Sequence, residues 1–89
     1  MMPYKETRLG NNQYIREFKS DVNNDELEWH LDKEDRIVET IQNEGWMIQI
    51  DNQLPIILKD EVYIPKETYH RLIKGNNTLI VKINKLIED

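Results

Sequence analysis

The sequence predicts an all-β protein, either a sandwich or a barrel. Apolar and polar residues alternate with a period of two in stretch after stretch, which is typical of strands with one buried face. Turn-forming residues interrupt the alternation about every ten residues, as they do in sandwiches and barrels. No apolar face at helical spacing runs long enough to predict a helix. These observations indicate one domain of about eight short strands.

The alternation divides the chain into eight segments. In order they are QYIREF (13–18), LEWHLD (27–32), RIVETI (36–41), WMIQID (46–51), PIILK (55–59), VYIP (62–65), YHRLIK (69–74) and TLIVKI (78–83). The breaks between them carry turn residues: SDVNNDE, NEG, DNQLP, KDE, PKET and GNN. Within a single domain spanning residues 1–89, we expect residues 1–12 to form an N-terminal arm and residues 13–84 to form a barrel.

One segment has a competing interpretation. DKEDRIVETIQN (32–43) begins with an aspartate and carries acidic residues in its first turn, as helices often do. Its β-branched residues Ile37, Val38 and Thr40 favour a strand, and Gly45 follows at hairpin distance. We therefore predict a strand here.

Composition excludes several classes of function. Eighty-nine residues allow one domain with a small core, and the absence of cysteine excludes disulfides and thiolate metal sites. A net charge of -5 argues against a general nucleic-acid binder, which needs a basic face. The apolar runs LPIIL and TLIV are far shorter than the roughly 20 residues of a membrane span. We expect a cytoplasmic protein without nucleic-acid or membrane partners, in which histidine and carboxylate must hold any metal.

The two histidines fall in different predicted strands. In LEWHLD, alternation places His30 and Asp32 on one face and Trp29 on the other. Neighbouring side chains on one strand face can bind a single ion, and His70 would supply a third ligand from another strand. Two histidines and a carboxylate form the facial triad of non-haem Fe(II) sites, which leaves positions open for water, dioxygen or a chelating substrate.

The same residues also fit a simpler interpretation. His30, Asp32 and Arg36 could form a salt-bridge cluster at a strand end, with His70 a partly exposed strand histidine. Because H-x-D occurs by chance in many sequences, the spacing alone leaves both interpretations open.

The segment WHLDKEDRIVETIQNEGW resembles the first cupin motif. That motif is a glycine, five residues, H-x-H, three or four residues, a glutamate, six residues and a glycine. His30 and Asp32 align with the two histidines of the motif, Arg36 lies near its glutamate, and the turn ending at Gly45 aligns with its closing glycine.

The segment DEVYIPKETYHRLIKGNN resembles the second cupin motif, a glycine followed by P-x-G-x-x-H and an asparagine. Pro65 and His70 match that motif, and Asn76 meets its asparagine loosely. Glu67 stands where the motif prefers glycine, one position further from the histidine than usual. Together the two resemblances cover roughly residues 28 to 80.

The resemblance implies a small cupin, that is, a double-stranded β-helix or jelly-roll-like barrel that holds its metal inside. It implies that His30, Asp32 and His70 bind a divalent cation, with Fe²⁺ expected first and Mn²⁺, Zn²⁺ or Ni²⁺ as alternatives. Replacing the second histidine by Asp32 is conservative, because carboxylate oxygen and imidazole nitrogen both ligate these ions. An enzyme of this kind would carry out oxygenation or isomerisation at the metal.

Arg36 departs from the motif, because a guanidinium stays charged and cannot ligate a metal. If it faces the interior, it could repel a cation and pair with Asp32, or it could clamp the carboxylate or phosphate of a bound small molecule. Gln49 is a second candidate for binding a ligand, since its amide could form hydrogen bonds inside the barrel. Arg71 directly follows His70 and is expected to point to the opposite face.

Two functions remain open from the sequence. The first is a metal-binding cupin that binds or transforms a small anionic molecule. The second is a metal-free barrel that serves as a non-enzymatic binding or assembly module. In either case a homodimer formed through the apolar faces of TLIVKI and LEWHLD would relieve the small core.

Overall fold

The computed structural model describes residues 4–20 and 27–87, and this part of the chain is all-β. Its strands are β1 Lys5–Gly10, β2 Gln13–Phe18, β3 Asp35–Glu44, β4 Met47–Ile50, β5 Ile56–Ile57, β6 Glu61–Ile64, β7 His70–Ile73 and β8 Asn76–Leu86. Residues 32–43 form no helix, since most of them belong to β3. In the described ranges, no helix has the length and apolar character needed to cross a membrane. The all-β prediction is confirmed.

The strands form two antiparallel sheets that do not close into a barrel. The larger sheet has the order β1-β2-β8-β3-β6, and the smaller sheet has the order β5-β4-β7. The edge strands β1 and β6 pair with no strand of the smaller sheet within the described residues. The expectation of a closed barrel is therefore corrected to two open sheets.

The core lies between the sheets and follows the alternation of the strands. In β8, Leu79, Val81 and Ile83 are buried, and in β4 Ile48 and Ile50 are buried, while the residues between them are not. Trp46 and Phe18 are the largest fully buried side chains. The complete core cluster is Phe18, Val38, Trp46, Ile48, Ile50, Leu58, Val62, Ile64, Leu79, Val81 and Ile83.

Strand β1 arises from the segment that was expected to be an arm. KETRLG is mostly polar and exposed, so its sequence carries no apolar alternation to mark it. It pairs with β2 from Lys5 opposite Glu17 to Gly10 opposite Gln13. Backbone hydrogen bonding to an edge, rather than burial, makes it a strand.

The predicted turns coincide with backbone in the left-handed region. Positive φ angles occur in five of the six predicted turn segments: Gly45 in NEG, Asn52 in DNQLP, Asp60 in KDE, Glu67 in PKET and Asn77 in GNN. Turn chemistry, which favours glycine, asparagine and aspartate there, explains four of these positions. The sixth predicted turn, SDVNNDE, lies outside the described residues apart from Ser20.

Residues 27–32 are not a regular strand, which corrects the prediction for LEWHLD. Only His30 makes an isolated antiparallel bridge, with His70. A regular antiparallel ladder would pair Asp32 with Thr68 next. Instead, the carbonyl of Asp32 accepts a hydrogen bond from the N–H of Glu67 at 2.7 Å, so the ladder ends after His30. Glu67 has a φ of 55°, which is the conformation that glycine adopts most easily.

Candidate metal centre

The segment that carries His30 and Asp32 points its polar side chains inward and its apolar side chains outward, the reverse of an ordinary surface strand. Backbone hydrogen bonds of 3.0 and 2.9 Å join His30 and His70, and paired residues share a sheet face. Since His70 is buried, His30 and Asp32 also point inward, whereas Trp29 and Leu31 point outward and are 44% and 40% exposed. Polar groups inside and apolar groups outside oppose the hydrophobic effect, so packing alone does not account for this segment.

Three candidate ligand atoms converge on the inner face. His30, Asp32 and His70 each offer one donor atom, and these atoms all lie within 4.8 Å of one another. Nε2 of His70 lies 3.3 Å from Oδ2 of Asp32, and the two imidazole centroids are 4.4 Å apart. The group is compatible with a metal site, as the H-x-D spacing and the second histidine suggest.

Backbone carbonyls fix the orientation of both imidazoles. Nδ1 of His30 lies 2.8 Å from the carbonyl oxygen of Glu28, and Nδ1 of His70 lies 2.9 Å from that of Thr68. A carbonyl oxygen only accepts, so each Nδ1 must carry a proton and donate it. In a neutral imidazole Nε2 then keeps its lone pair, which is the arrangement found in metal-binding histidines.

The converging donor atoms are compatible with a cation between them. With His70 neutral, its Nε2 lone pair faces the carboxylate oxygen Oδ2 of Asp32 at 3.3 Å, and the two atoms repel each other. That oxygen is buried and, apart from this contact, meets no hydrogen-bond donor among the described residues. A proton on His70 or a metal ion would remove the repulsion. With ligand distances of about 2.1 Å, two ligand atoms of one metal lie about 3.0–3.4 Å apart, so the longest donor separation, up to 4.8 Å, would have to shorten by about 1.5 Å.

Asp32 presents a carboxylate rather than a carboxylic acid. Burial raises its pKa, but a hydrogen bond from His70 in its protonated form and the positive charges of Arg36 and of protonated His70 and His30 outweigh burial and hold the pKa of Asp32 below its ordinary value. The ionised carboxylate is the form that binds a metal ion, so Asp32 needs no deprotonation step at neutral pH.

Two hydrogen bonds from backbone N–H groups hold the segment before His70 against residues 32–35. The N–H of Lys66 donates to Oδ1 of Asp35 at 2.8 Å, and the N–H of Glu67 donates to the carbonyl of Asp32. The bond from Lys66 is the main reason that the pKa of Asp35 is lowered. These contacts set the distance between the two halves of the candidate site.

Arg36 faces the interior and is shared between two carboxylates. Its Nη2 lies 2.7 Å from Oε1 of Glu34 and 3.3 Å from Oδ1 of Asp32, and its Nε donates to the same Glu34 oxygen at 3.0 Å. Glu34 is thus the closer partner. Arg36 contacts Oδ1 of Asp32, whereas His70 faces Oδ2, so the guanidinium and the histidine do not compete for one oxygen.

A cavity of about 40 Å³ lies beside these residues, between the sheets. Most of its wall is apolar, and the charged or ionisable residues that line it are Asp32, Arg36, His70 and Arg16. Arg16 is not among the site residues predicted from the sequence. A signal was present, however, because alternation in QYIREF places this arginine on the same face as the core residue Phe18.

Gln49 and Arg71 lie on the other side of the smaller sheet. Ile48 and Ile50 occupy the inner face of β4, so Gln49 between them points away from the cavity. Its amide oxygen accepts from Nε and Nη2 of Arg71 at 3.1 and 2.9 Å, and Arg71 stacks over Trp29 at 4.9 Å. The predicted ligand role of Gln49 does not follow from this position, whereas the outward orientation expected for Arg71 agrees with it.

The fold is similar to that of two solved structures. Protein NMB1881 from Neisseria meningitidis is 13% identical over 94% of this chain and 83% of its own chain, with a TM-score of 0.61. The conserved SPY1581 protein of unknown function from Streptococcus pyogenes is 14% identical over 100% of this chain and 77% of its own, with a TM-score of 0.65. At these identities the likeness shows the fold alone. No family model and no curated protein matches the sequence.

Proposed function

We propose that this chain is a small cupin-type protein that binds one divalent metal ion through His30, Asp32 and His70. The observation that carries the proposal is the orientation of the two imidazoles. Carbonyl oxygens hold both Nδ1 atoms, so both Nε2 atoms are presented together with the buried carboxylate of Asp32.

The order of the strands supports a cupin-type arrangement. When the His30 segment is placed beside β7, the smaller sheet has the order His30 segment, β7, β4, β5. In the larger sheet, β2, β8, β3 and β6 are neighbours in that order. From β2 onward the chain passes back and forth between the sheets, so that strands distant in sequence become neighbours. Jelly rolls built from Greek keys show this kind of order.

Two imidazole nitrogens and one carboxylate oxygen favour Fe²⁺, with Mn²⁺, Zn²⁺ or Ni²⁺ as alternatives. Such an ion would leave coordination positions open and would supply Lewis acidity or dioxygen activation. The side chain of Arg36, 3.3 Å from Asp32, would lie beside an anionic molecule in those positions and could orient it.

Metal analysis tests the proposal. Protein purified without chelator and without a nickel column should contain about one equivalent of metal. Free Zn²⁺ at about 100 times its dissociation constant should raise the melting temperature of the metal-free protein by about 10–20 °C. His30→Ala and Asp32→Ala should lose both effects. Asp51→Ala removes an exposed carboxylate in a turn and should retain them.

A protein without bound metal whose melting temperature does not respond to Fe²⁺, Mn²⁺ or Zn²⁺ would exclude the metal function. The second candidate function, a metal-free assembly module, would then remain. It is favoured by the outer face of the smaller sheet, where Met47 pairs with Ile57 and Ile73 and where Trp29, stacked on Arg71, and Tyr69 lie further along the same face. Ile57 and Tyr69 are 51% and 52% exposed.

The partner that we propose for this face is a second copy of the chain. The outer face of the larger sheet carries ion pairs, Lys5 with Glu17 and Lys82 with Glu39, beside the exposed Tyr63. Of the two segments expected to form an interface, LEWHLD does present Trp29 outward, whereas the apolar face of TLIVKI, which is Leu79, Val81 and Ile83, is buried in the core. An isologous dimer through the smaller sheet would bury the exposed aromatic and aliphatic groups.

Sedimentation equilibrium tests the dimer. Ile57→Lys should shift the protein from dimer to monomer, because it places a charge in the apolar row. Ile41→Lys is the matched control, since Ile41 is 56% exposed but belongs to β3 in the other sheet. A wild-type protein that is monomeric at high micromolar concentration, or a control that dissociates equally, would contradict this interface.

A further inference from the structure

Two arginines, one buried and one largely buried, line the cavity beside the proposed metal site. Arg16 is 7% exposed on the inner face of β2, and the side chain of Arg36 is 11% exposed on the inner face of β3. Arg16 is in register with Val81 and Arg36 with Lys85, so the two arginines lie on the strands that flank β8 on either side. Arginine is seldom buried in an apolar interior unless it meets negative charge.

The three carboxylates that pair with these arginines leave only one negative charge to offset a metal ion. Nε of Arg16 donates to Glu6 at 2.7 Å, and Arg36 is shared by Glu34 and Asp32. When a divalent ion is added to these two arginines and three carboxylates, the group carries one net positive charge. Lys85 lies 3.9 Å from the same Glu34 oxygen and adds to the positive potential.

We infer that the metal-loaded cavity binds one small planar oxyanion, such as a one-carbon carboxylate, against the guanidinium groups of Arg16 and Arg36. This inference rests on the proposed metal function and names the class of its ligand. A planar anion with two oxygens matches the fork of a guanidinium and restores neutrality in a site with apolar walls. The volume of about 40 Å³ holds formate or bicarbonate but no three-carbon acid.

Titration of formate into the Zn²⁺ form tests the inference. A three-atom ligand reaches at best a dissociation constant of about 1 mM, so the titration must extend to tens of millimolar. Formate should bind, whereas propionate and chloride at the same ionic strength should not. A parallel titration with bicarbonate shows whether the site binds a carbonate-type anion as well as a carboxylate. By linkage, formate should raise the Zn²⁺ affinity by the same factor by which Zn²⁺ raises formate affinity.

Arg16→Lys and Arg36→Lys keep the positive charge but lose the fork, and each should weaken formate binding at least fivefold. Arg71→Lys, on the outer face, is the matched control and should leave formate binding unchanged. The comparison of formate with propionate uses the wild-type protein alone and holds even where a variant fails to fold.

The outcomes separate the two proposals. If the protein binds Zn²⁺ but formate does not bind, or if propionate binds equally well, the anion site is refuted and the metal site stands. If both lysine variants bind formate like the wild type, the arginines do not form the site. If Zn²⁺ itself does not bind, the proposed function fails, and the anion inference fails with it.

Discussion

Glu34→Gln is expected to weaken Zn²⁺ binding about tenfold, although Glu34 is not among the three proposed ligands. Arg36 makes its two shortest side-chain bonds to Glu34 and a 3.3 Å contact to Asp32. Without the Glu34 carboxylate, the guanidinium would pair fully with Asp32 and would oppose an approaching cation. Competition for Zn²⁺ between the protein and a chelating dye at neutral pH measures the change.

Arg36→Gln should have the opposite effect on the metal. Removing a positive charge beside the ion strengthens Zn²⁺ binding, again about tenfold. The same change should lower the free energy of unfolding of the metal-free protein by about 1–3 kcal/mol, because Asp32 and Glu34 lose a partner they share in a largely buried place. In the double variant, the loss caused by Glu34→Gln should disappear, which a double-mutant cycle reports as coupling.

Glu39→Gln provides the control for charge. Glu39 pairs with Lys82 at 3.6 Å on the face of β3 opposite to the cavity, so this variant changes the net charge equally without touching Arg36. It should bind Zn²⁺ like the wild type. If Glu34→Gln keeps wild-type affinity, or if the double variant binds as weakly as Glu34→Gln, then Arg36 does not compete with the ion for Asp32.

Gly75→Ala is expected to lower the free energy of unfolding by about 3 kcal/mol or more. Gly75 lies between β7 and β8, and a Cβ there would come within 3.0 Å of backbone atoms of Glu44, Gly45 and Trp46. Backbone cannot rotate away as a side chain can, so the connection would have to shift beside the fully buried Trp46. Urea denaturation of the metal-free protein measures the loss.

Gly10→Ala is the matched control for this effect. The nearest atom to a Cβ at Gly10 is Oε1 of Gln13 at 3.9 Å, which is ordinary contact. Its free energy of unfolding should therefore stay within about 1 kcal/mol of the wild type. Equal stability of the two alanine variants would mean that the chain between β7 and β8 moves away from Trp46 at little cost.

Most strands could be predicted because their burial follows their alternation. QYIREF coincides with β2, and the other predicted strands from RIVETI onward each overlap an observed one, from β3 to β8. β1 could not be predicted, since its residues are polar and only pairing with β2 makes it a strand. LEWHLD has the alternation of a strand but bridges only at His30, because Glu67 bonds to Asp32 out of register.

The alternation of LEWHLD was enough to place His30 and Asp32 on one side, because side chains two apart on an extended chain point the same way. It could not say which side faces the core. By ordinary hydrophobic burial Trp29 and Leu31 would be inside, and the structure has them exposed. The pairing of His30 with His70 decides which face points to the core. That contact joins residues forty positions apart, so local alternation cannot predict it.

By itself, the sequence determined the all-β class, the positions of most strands and turns, and the three residues of the candidate metal centre. These depend on local periodicity and on residue type. Only the tertiary structure decided that the sheets stay open, that Gln49 faces away from the cavity, and that Glu34 holds Arg36 while Arg16 shares its cavity. Each of these depends on which strands become neighbours, and strand order brings together side chains whose separation along the chain carries no pattern.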